Sequence, residues 1–204
     1  MELISRPKHR GARKSDGYHH GDLRAALLQA AKEVIGESGV EGLTLRACAR
    51  RAGVSHGAPA HHFGSVTGLL TEFAAEGFER LREAMTRTQL KGADDQLLAS
   101  GLGYIEFAMR WPEQFRVMWR SELLDENSPR LQQARETAQQ PLREALRHAN
   151  ARTLSEDELA ARFELAWCCV HGYASLWVEG NRRPRSLDEA KRILGLLRLS
   201  LVQE

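Results

Sequence analysis

Residues 44–63 read Thr44-Leu45-Arg46-Ala47-Cys48-Ala49-Arg50-Arg51-Ala52-Gly53-Val54-Ser55-His56-Gly57-Ala58-Pro59-Ala60-His61-His62-Phe63, and this stretch decides the fold. A short helical pattern runs to Arg51. Gly53 can take the positive φ that ends a helix. Ser55 stands where it would cap a second helix carrying His56, His61 and His62. Ala49 is small where two helices must cross closely. Two short helices joined by a tight glycine-containing turn predict a helix-turn-helix, whose second helix enters the DNA major groove. An ordinary helical hairpin, common in all-helical proteins, has the same pattern.

The flanks extend the helical reading. Upstream, Leu23, Leu27, Ala30 and Val34 form one stripe of a helix over about 22–38, closed by Gly39. Downstream, a helix starts near Ser65 and continues past Met85, with Leu69, Leu70, Phe73, Gly77, Leu81 and Met85 on one face. From about Asp94 the next stripe is Leu97, Leu98, Gly101, Ile105, Ala108 and Met109. Pro112 closes that helix and opens a short one, expected to reach about Leu124, because proline is tolerated in a first turn. Ser128-Pro129 opens a helix to about Ala149, with a kink expected at Pro141. Ser155-x-x-Glu158 and Ser186-x-x-Glu189 have capping-box spacing and open the last two helices, about 156–180 and 187–202. No strand alternation occurs. The expected fold is all-α, about nine helices, divided into a basic arm (1–17), a helix-turn-helix domain (18–64) and a ligand-binding and dimerisation domain (65–204).

Charge supports a division of labour. The 204 residues carry a net charge of only +2, but residues 1–64 hold ten Lys/Arg against six Asp/Glu, and six of the eight histidines. Arg6, Lys8, Arg10, Arg13 and Lys14 make the start a basic arm, which either touches phosphates and the minor groove or is a plain tail. No apolar run approaches the ~18 residues of a membrane span. The basic start has no apolar segment behind it, so it is not a secretory signal. Three cysteines, Cys48, Cys168 and Cys169, make no disulfide framework and fit a reducing cytoplasm. No nucleophile elbow, phosphate-binding loop or zinc-protease motif is present, which leaves an enzyme reading without support. No cofactor is implied.

The last two helices are apolar on more than one side. Leu159, Phe163, Trp167, Val170, Ala174 and Trp177 form one seam; Leu165, Cys169, Gly172 and Leu176 form another. The final helix carries Ala190, Ile193, Leu194, Leu197 and Leu201, with Leu196 off that stripe. A helix apolar on two faces needs two partners, its own domain and a second subunit. The alternative is a fully buried core helix of a monomer. All four tryptophans lie after residue 110. Phe107, Trp111, Phe115, Trp119, Trp167 and His171 are candidates for a small-molecule pocket, since such pockets are mostly apolar with a few polar groups. Each aromatic alone reads better as plain core.

The run from about residue 21 to residue 70 resembles the N-terminal domain of TetR-type transcriptional regulators. The features that carry it are the alanine-rich first helix, the glycine-bracketed loop, Thr44-Leu45, Ala49-Arg50-Arg51-Ala52-Gly53-Val54-Ser55, His62-Phe63 and Leu69-Leu70. The resemblance implies a homodimer joined through the last two helices, and repression of a palindromic operator in double-stranded DNA. A small apolar or amphipathic inducer would release it, and the site of action would be the cytoplasm, on the nucleoid. It places Thr44 and Arg46 at phosphates, His56 and His61 at base edges, and Ser55, Gly57, Ala58 and His62 on the same reading helix. Two positions depart from the family pattern: Ala60 stands where a tyrosine is usual and Val66 where a lysine is usual. They keep alive a second reading, an interaction protein of this fold with weak DNA binding. Trp167-Cys168-Cys169-Val170-His171-Gly172 resembles a Trp-x-x-x-His-Gly signature of one subgroup's C-terminal domain. His171 is then either a core histidine bonded to a carbonyl or a polar anchor in the pocket. Cys168, Cys169 and His171 also leave a metal or redox sensor open, although a transition-metal site needs three or four ligands.

Overall fold

The computed structural model describes residues 20–88, 96–150, 154–180 and 186–202. The basic arm at 1–17 lies outside them. Among the described residues nine α-helices follow one another: α1 (His20–Ser38), α2 (Leu45–Ala52), α3 (Ala58–Phe63), α4 (Val66–Arg87), α5 (Gln96–Arg110), α6 (Pro112–Met118), α7 (Pro129–Ala149), α8 (Glu156–Val178) and α9 (Leu187–Leu201). Short 3₁₀ turns at Val40–Gly42 and Ser121–Leu123 complete the backbone. No helix is long and apolar enough to cross a membrane among these residues.

The central element is α4. Ser65 caps it, its hydroxyl accepting the Gly68 N–H at 3.0 Å. Leu69, Leu70, Phe73, Ala74, Phe78, Leu81 and Met85 are buried along it, against α5, α6 and α7. The helix therefore begins in the N-terminal domain and ends inside the body, as its apolar period predicts. On α1, Leu27, Ala30, Ala31 and Val34 are buried, with Leu28 and Ile35 beside them. Helix α5 lies so close to α4 that a Cβ on Gly103 would stand 2.4 Å from the carbonyl oxygen of Ala84. A side chain there would push two backbones apart.

Several local expectations need correction. Helix α6 ends at Met118 instead of reaching Leu124. The backbone leaves the helix at Trp119 and Arg120, where the indole packs edge-on to Phe78 at 5.2 Å and the guanidinium reaches back to Glu41 at 2.8 Å. Tertiary contacts outweigh the helical pattern there. Helix α7 spans Pro129–Ala149, the expected range, with Pro141 inside it. The capping box at Ser155 is complete, with Ser155 and Glu158 bonded reciprocally. At Ser186 the backbone has N-cap geometry but the hydroxyl makes no cap bond; the Glu189 N–H goes to the Ser186 carbonyl at 2.9 Å. Met109, placed on the core stripe by periodicity, is exposed, as is Ile193.

Candidate nucleic-acid interface

The turn between α2 and α3 is built by three local devices. The Thr44 hydroxyl accepts the Ala47 N–H at 3.0 Å and so starts α2. Gly53 ends it at φ 67°, ψ 30°, a left-handed conformation that costs a residue with a Cβ. The Gly53 N–H bonds Arg50 at 3.3 Å and the Val54 N–H bonds Ala49 at 3.0 Å, the paired bonds of a Schellman turn. Cys48 and Ala49 are buried beneath it. Burial pushes the Cys48 thiol up to about 11, so it stays protonated and inert.

The second helix starts later than Ser55. Its N-cap is Gly57, without a side-chain bond. Pro59 has no N–H and cannot bond back to Ser55. The first helical bond runs from His61 N–H to the Gly57 carbonyl at 3.0 Å. Ser55 therefore does not cap α3; its carbonyl accepts the Ala58 N–H at 3.0 Å in a turn that presents His56 and Gly57 ahead of the helix. Pro59 is buried, whereas Ser55, His56, Gly57, Ala60 and His61 are all exposed.

Ala58 and His62 are half-buried, one turn apart. His62 lines a cleft of about 350 Å³ with Arg24, Phe63, Glu72 and Asp125, at the junction with the body. It is not on the face that carries His61. Of the cations, Arg46 and Arg50 are exposed. Arg51 is bonded to Glu37 and Glu33 of α1. Those bonds raise the guanidinium's pKa, and they make Arg51 a strut between α1 and α2. The sequence pattern of Arg50-Arg51 did not distinguish the two roles; i,i+4 spacing of Glu33 and Glu37 on α1 is the signal that would have.

In the body, five rings converge. Tyr104 lies 5.3 Å from Trp167 and 6.1 Å from Phe115, and Trp119 lies 4.8 Å from His171 and 5.8 Å from Trp167. Trp111 is not among them. It sits at the α5–α6 junction with Lys32 and Arg80 each 4.4 Å from its ring, a cation–π arrangement that holds it away from the cluster. Phe107 is plain core. Tyr104, one of the clustered C-terminal aromatics though not among the named pocket candidates, is the polar centre: its hydroxyl is 2.8 Å from His171 Nδ1. A buried tyrosine must place its O–H somewhere, which is the cue its position in the apolar stripe offered. Burial raises its pKa, so the hydroxyl keeps its proton; on the other side of the imidazole, Nε2 lies 3.4 Å from Ser175 Oγ. His171 is thus a partly buried histidine bonded to a side chain, not to a carbonyl. Cys168 and Cys169 are exposed on α8, and no group of three metal-ligating side chains forms among the described residues.

Burial holds the His171 pKa below its ordinary value of 6.5. The unfolded chain therefore takes up a proton before the folded one does as pH falls. Stability is present above about pH 6.5 and declines below it, until folded His171 itself protonates. Thermal unfolding should show a lower midpoint at about pH 5.5 than at about pH 7.5. His171→Gln should flatten that dependence; an unchanged slope in the variant would assign it to other groups.

Two clefts border these residues. Between α5, α8 and α9 a cavity of about 30 Å³ lies beside Gly101, Tyr104, Val170, Leu194 and Leu197. A larger one, about 560 Å³, opens at the junction of the two domains beside Phe115, Trp119 and His171. Trp167 and Phe107 line neither.

Residues 27–73 match the family model for bacterial regulatory proteins of the tetR family, and residues 97–194 match the tetracyclin repressor-like C-terminal domain. The chain belongs to the TetR family. The HTH-type transcriptional regulator BetI of Stenotrophomonas maltophilia (strain R551-3) is 35% identical over 72 residues, 35% of this chain and 37% of that protein. BetI of Burkholderia cenocepacia (strain HI2424) is 36% identical over 72 residues, with the same shares. The match therefore spans little more than a third of these curated relatives. Among solved structures, a protein with unknown function from Rhodococcus sp. RHA1 is similar with a TM-score of 0.75 and 27% identity, covering 92% of this chain and 100% of that one. The TetR family transcriptional regulator PfmR from Thermus thermophilus shares the fold at a TM-score of 0.66 and 20% identity, covering 85% and 97%.

Proposed function

We propose that this TetR-family chain is a sequence-specific DNA-binding transcriptional regulator. It acts in the cytoplasm, on the nucleoid, as a homodimeric repressor of a palindromic operator, released by a small apolar or amphipathic ligand. The observation that carries it is the exposed surface formed by His56, Gly57, Ala60 and His61 beyond a locked turn. A helix-turn-helix presents such a face to the major groove. His56 and His61 then reach base edges, Gly57 and Ala60 allow close approach, and the Thr44 hydroxyl, an acceptor within its helix, donates its own hydrogen to a phosphate. Arg46 and Arg50 supply phosphate charge. Ser55 lies on the same turn, Ala58 supports it from beneath, and His62 belongs to the domain junction.

Dimerisation has its own support. Leu165 and Leu176 on α8, and Leu187, Ile193 and Leu196 on α9, are large exposed apolar side chains. Leu165, Cys169, Gly172 and Leu176 recur at helical spacing, so they form one stripe. A four-helix contact between two copies would cover both stripes.

Ala60 favours a second reading. It is exposed on α3 yet offers only a methyl group, so a phosphate bond is missing and the fold could serve a protein partner instead. Val66 bears less on the matter, because it is half-buried against the core at the start of α4. A mobility-shift titration with the DNA upstream of its own gene separates the readings. The regulator should shift that DNA selectively, with log K falling against log salt at a slope of about −4 or steeper, near 0.9 per neutralised phosphate. Absent or salt-insensitive binding favours the partner-protein reading.

A further inference from the structure

We infer that the 560 Å³ cleft at the domain junction is a binding site for an apolar carboxylic acid, and that its occupant weakens DNA binding by taking Arg120 from Glu41. The inference rests on the regulator reading and places the ligand outside the body of the C-terminal domain.

The walls come from both domains. Ile35 and Val40 belong to the DNA-binding side, Phe115 and Trp119 to the body near α6, and His171 and Ser175 to α8. The volume lies within the ~300–1,000 Å³ of small-molecule sites, and the mixture of apolar walls with a few polar groups is that of such sites. The cavity inside the body, about 30 Å³, has room for little more than a water molecule. The Trp119 indole N–H is buried and has no partner among the described residues. That nitrogen has no surface open to the cleft, so Trp119 offers the cleft carbon surface only.

Arg116 and Arg120 stand in the wall with Glu41 and Glu179, and the Arg120 guanidinium selects the acid. Arg120 gives Nε to Glu122 and Nη1 to Glu41, both at 2.8 Å. A guanidinium has five N–H donors in a planar fork, so three remain. Glu122 lies beside it in the body and keeps the group oriented. Glu41 lies across the cleft, on the 3₁₀ turn of the DNA-binding domain, and is largely exposed. A ligand carboxylate on the remaining donors of Arg120, with its apolar part against Phe115 and Trp119, adds a third negative charge beside Glu41 and Glu122, and the repulsion displaces Glu41, the more exposed of the two and the one on the other domain. It would remove one of the ties between the domains. Lys32 over Trp111 and Arg24 with Glu72 are others. Ligand and operator would then oppose each other by the same factor in either order of addition.

The two partners of the ion pair give opposite signs, which a merely structural pair would not. Binding of 2-naphthoate to the full chain is measured by calorimetry, with 2-naphthamide as the neutral isostere and 2-naphthylmethylamine as the cation. Naphthoate should bind at least about tenfold tighter than either, the worth of a charge-assisted pair. Arg120→Gln should bring naphthoate down to the level of the amide. Glu41→Gln should strengthen naphthoate about threefold, because the competing carboxylate is gone. Ser175→Trp, filling the cleft, should abolish binding with the helical circular dichroism spectrum kept. No saturable naphthoate binding below about 1 mM, equal binding of the amine, or the same direction of change in Arg120→Gln and Glu41→Gln would each overturn the inference. Operator affinity measured on the same samples keeps the two readings apart. Failure of the ligand-free protein to bind DNA sinks the regulator reading, whereas intact DNA binding that naphthoate does not weaken sinks only this site.

Discussion

Leu196→Glu should leave each subunit folded, convert the dimer to monomer, and lower affinity for a two-half-site operator by ~100-fold or more. The side chain is 69% exposed in the single chain. A carboxylate there sits in water and costs the monomer almost nothing. If α8 and α9 pair with their copies, the same carboxylate becomes buried without a partner, at a cost of several kcal/mol on each side of a two-fold axis. Losing the partner removes the second half-site from reach, and with it the effective-concentration advantage. Leu197, on the apolar stripe from which periodicity sets Leu196 apart, is the wrong residue for this test. It is half-buried against the core and lines the cavity beside α5, so Leu197→Glu would damage the subunit itself. Sedimentation and circular dichroism check the expectation: a fully helical dimer from Leu196→Glu would move the interface elsewhere.

What periodicity and capping chemistry made legible was the helical skeleton. The buried positions of α1 and α4, the left-handed Gly53 and the capping box at Ser155 all follow from interactions within a few residues, which a linear reading sees. The misplaced features depend on contacts from far along the chain or on a donor that is missing. Pro59 delays α3 because one backbone N–H does not exist. Helix α6 stops early because Trp119 and Arg120 find Phe78 and Glu41. Aromatic count marked the C-terminal half as a place for a pocket, yet it could not say which rings converge: Tyr104 does and Trp111 does not. The junction cleft draws its walls from α1, α6 and α8, three segments that no local pattern ties together. The face of α3 was half legible. Helical spacing separates His61 from His62, but which of them is exposed depends on how α3 packs on α4.

Gly103→Ala should destabilise the protein severely, whereas Gly101→Ala, two residues earlier on the same helix, should be nearly neutral. Both substitutions gain about 1 kcal/mol of helix propensity. What the new methyl meets decides the outcome. At Gly103 it would stand 2.4 Å from the Ala84 carbonyl oxygen and 2.8 Å from the Met85 Cα, both backbone atoms of α4. Neither can turn aside, so α4 and α5 must separate along their shared buried face. Overpacking costs roughly 1–3 kcal/mol where side chains can yield, and a clash between two backbones should exceed that, at about 4 kcal/mol net. For a chain of this size that corresponds to a loss of roughly 10 °C in melting temperature. At Gly101 the nearest atoms are the Leu194 methyls, from 3.0 Å. They end a flexible side chain beside a small cavity, and a shift of a few tenths of an ångström relieves the contact. Gly101→Ala should therefore melt within a few degrees of the parent, its propensity gain offsetting the adjustment. Because α4 also carries the DNA-binding domain, Gly103→Ala should lose operator binding together with its fold. Equal melting temperatures for the two variants would show that α4 and α5 do not pack at the distance described.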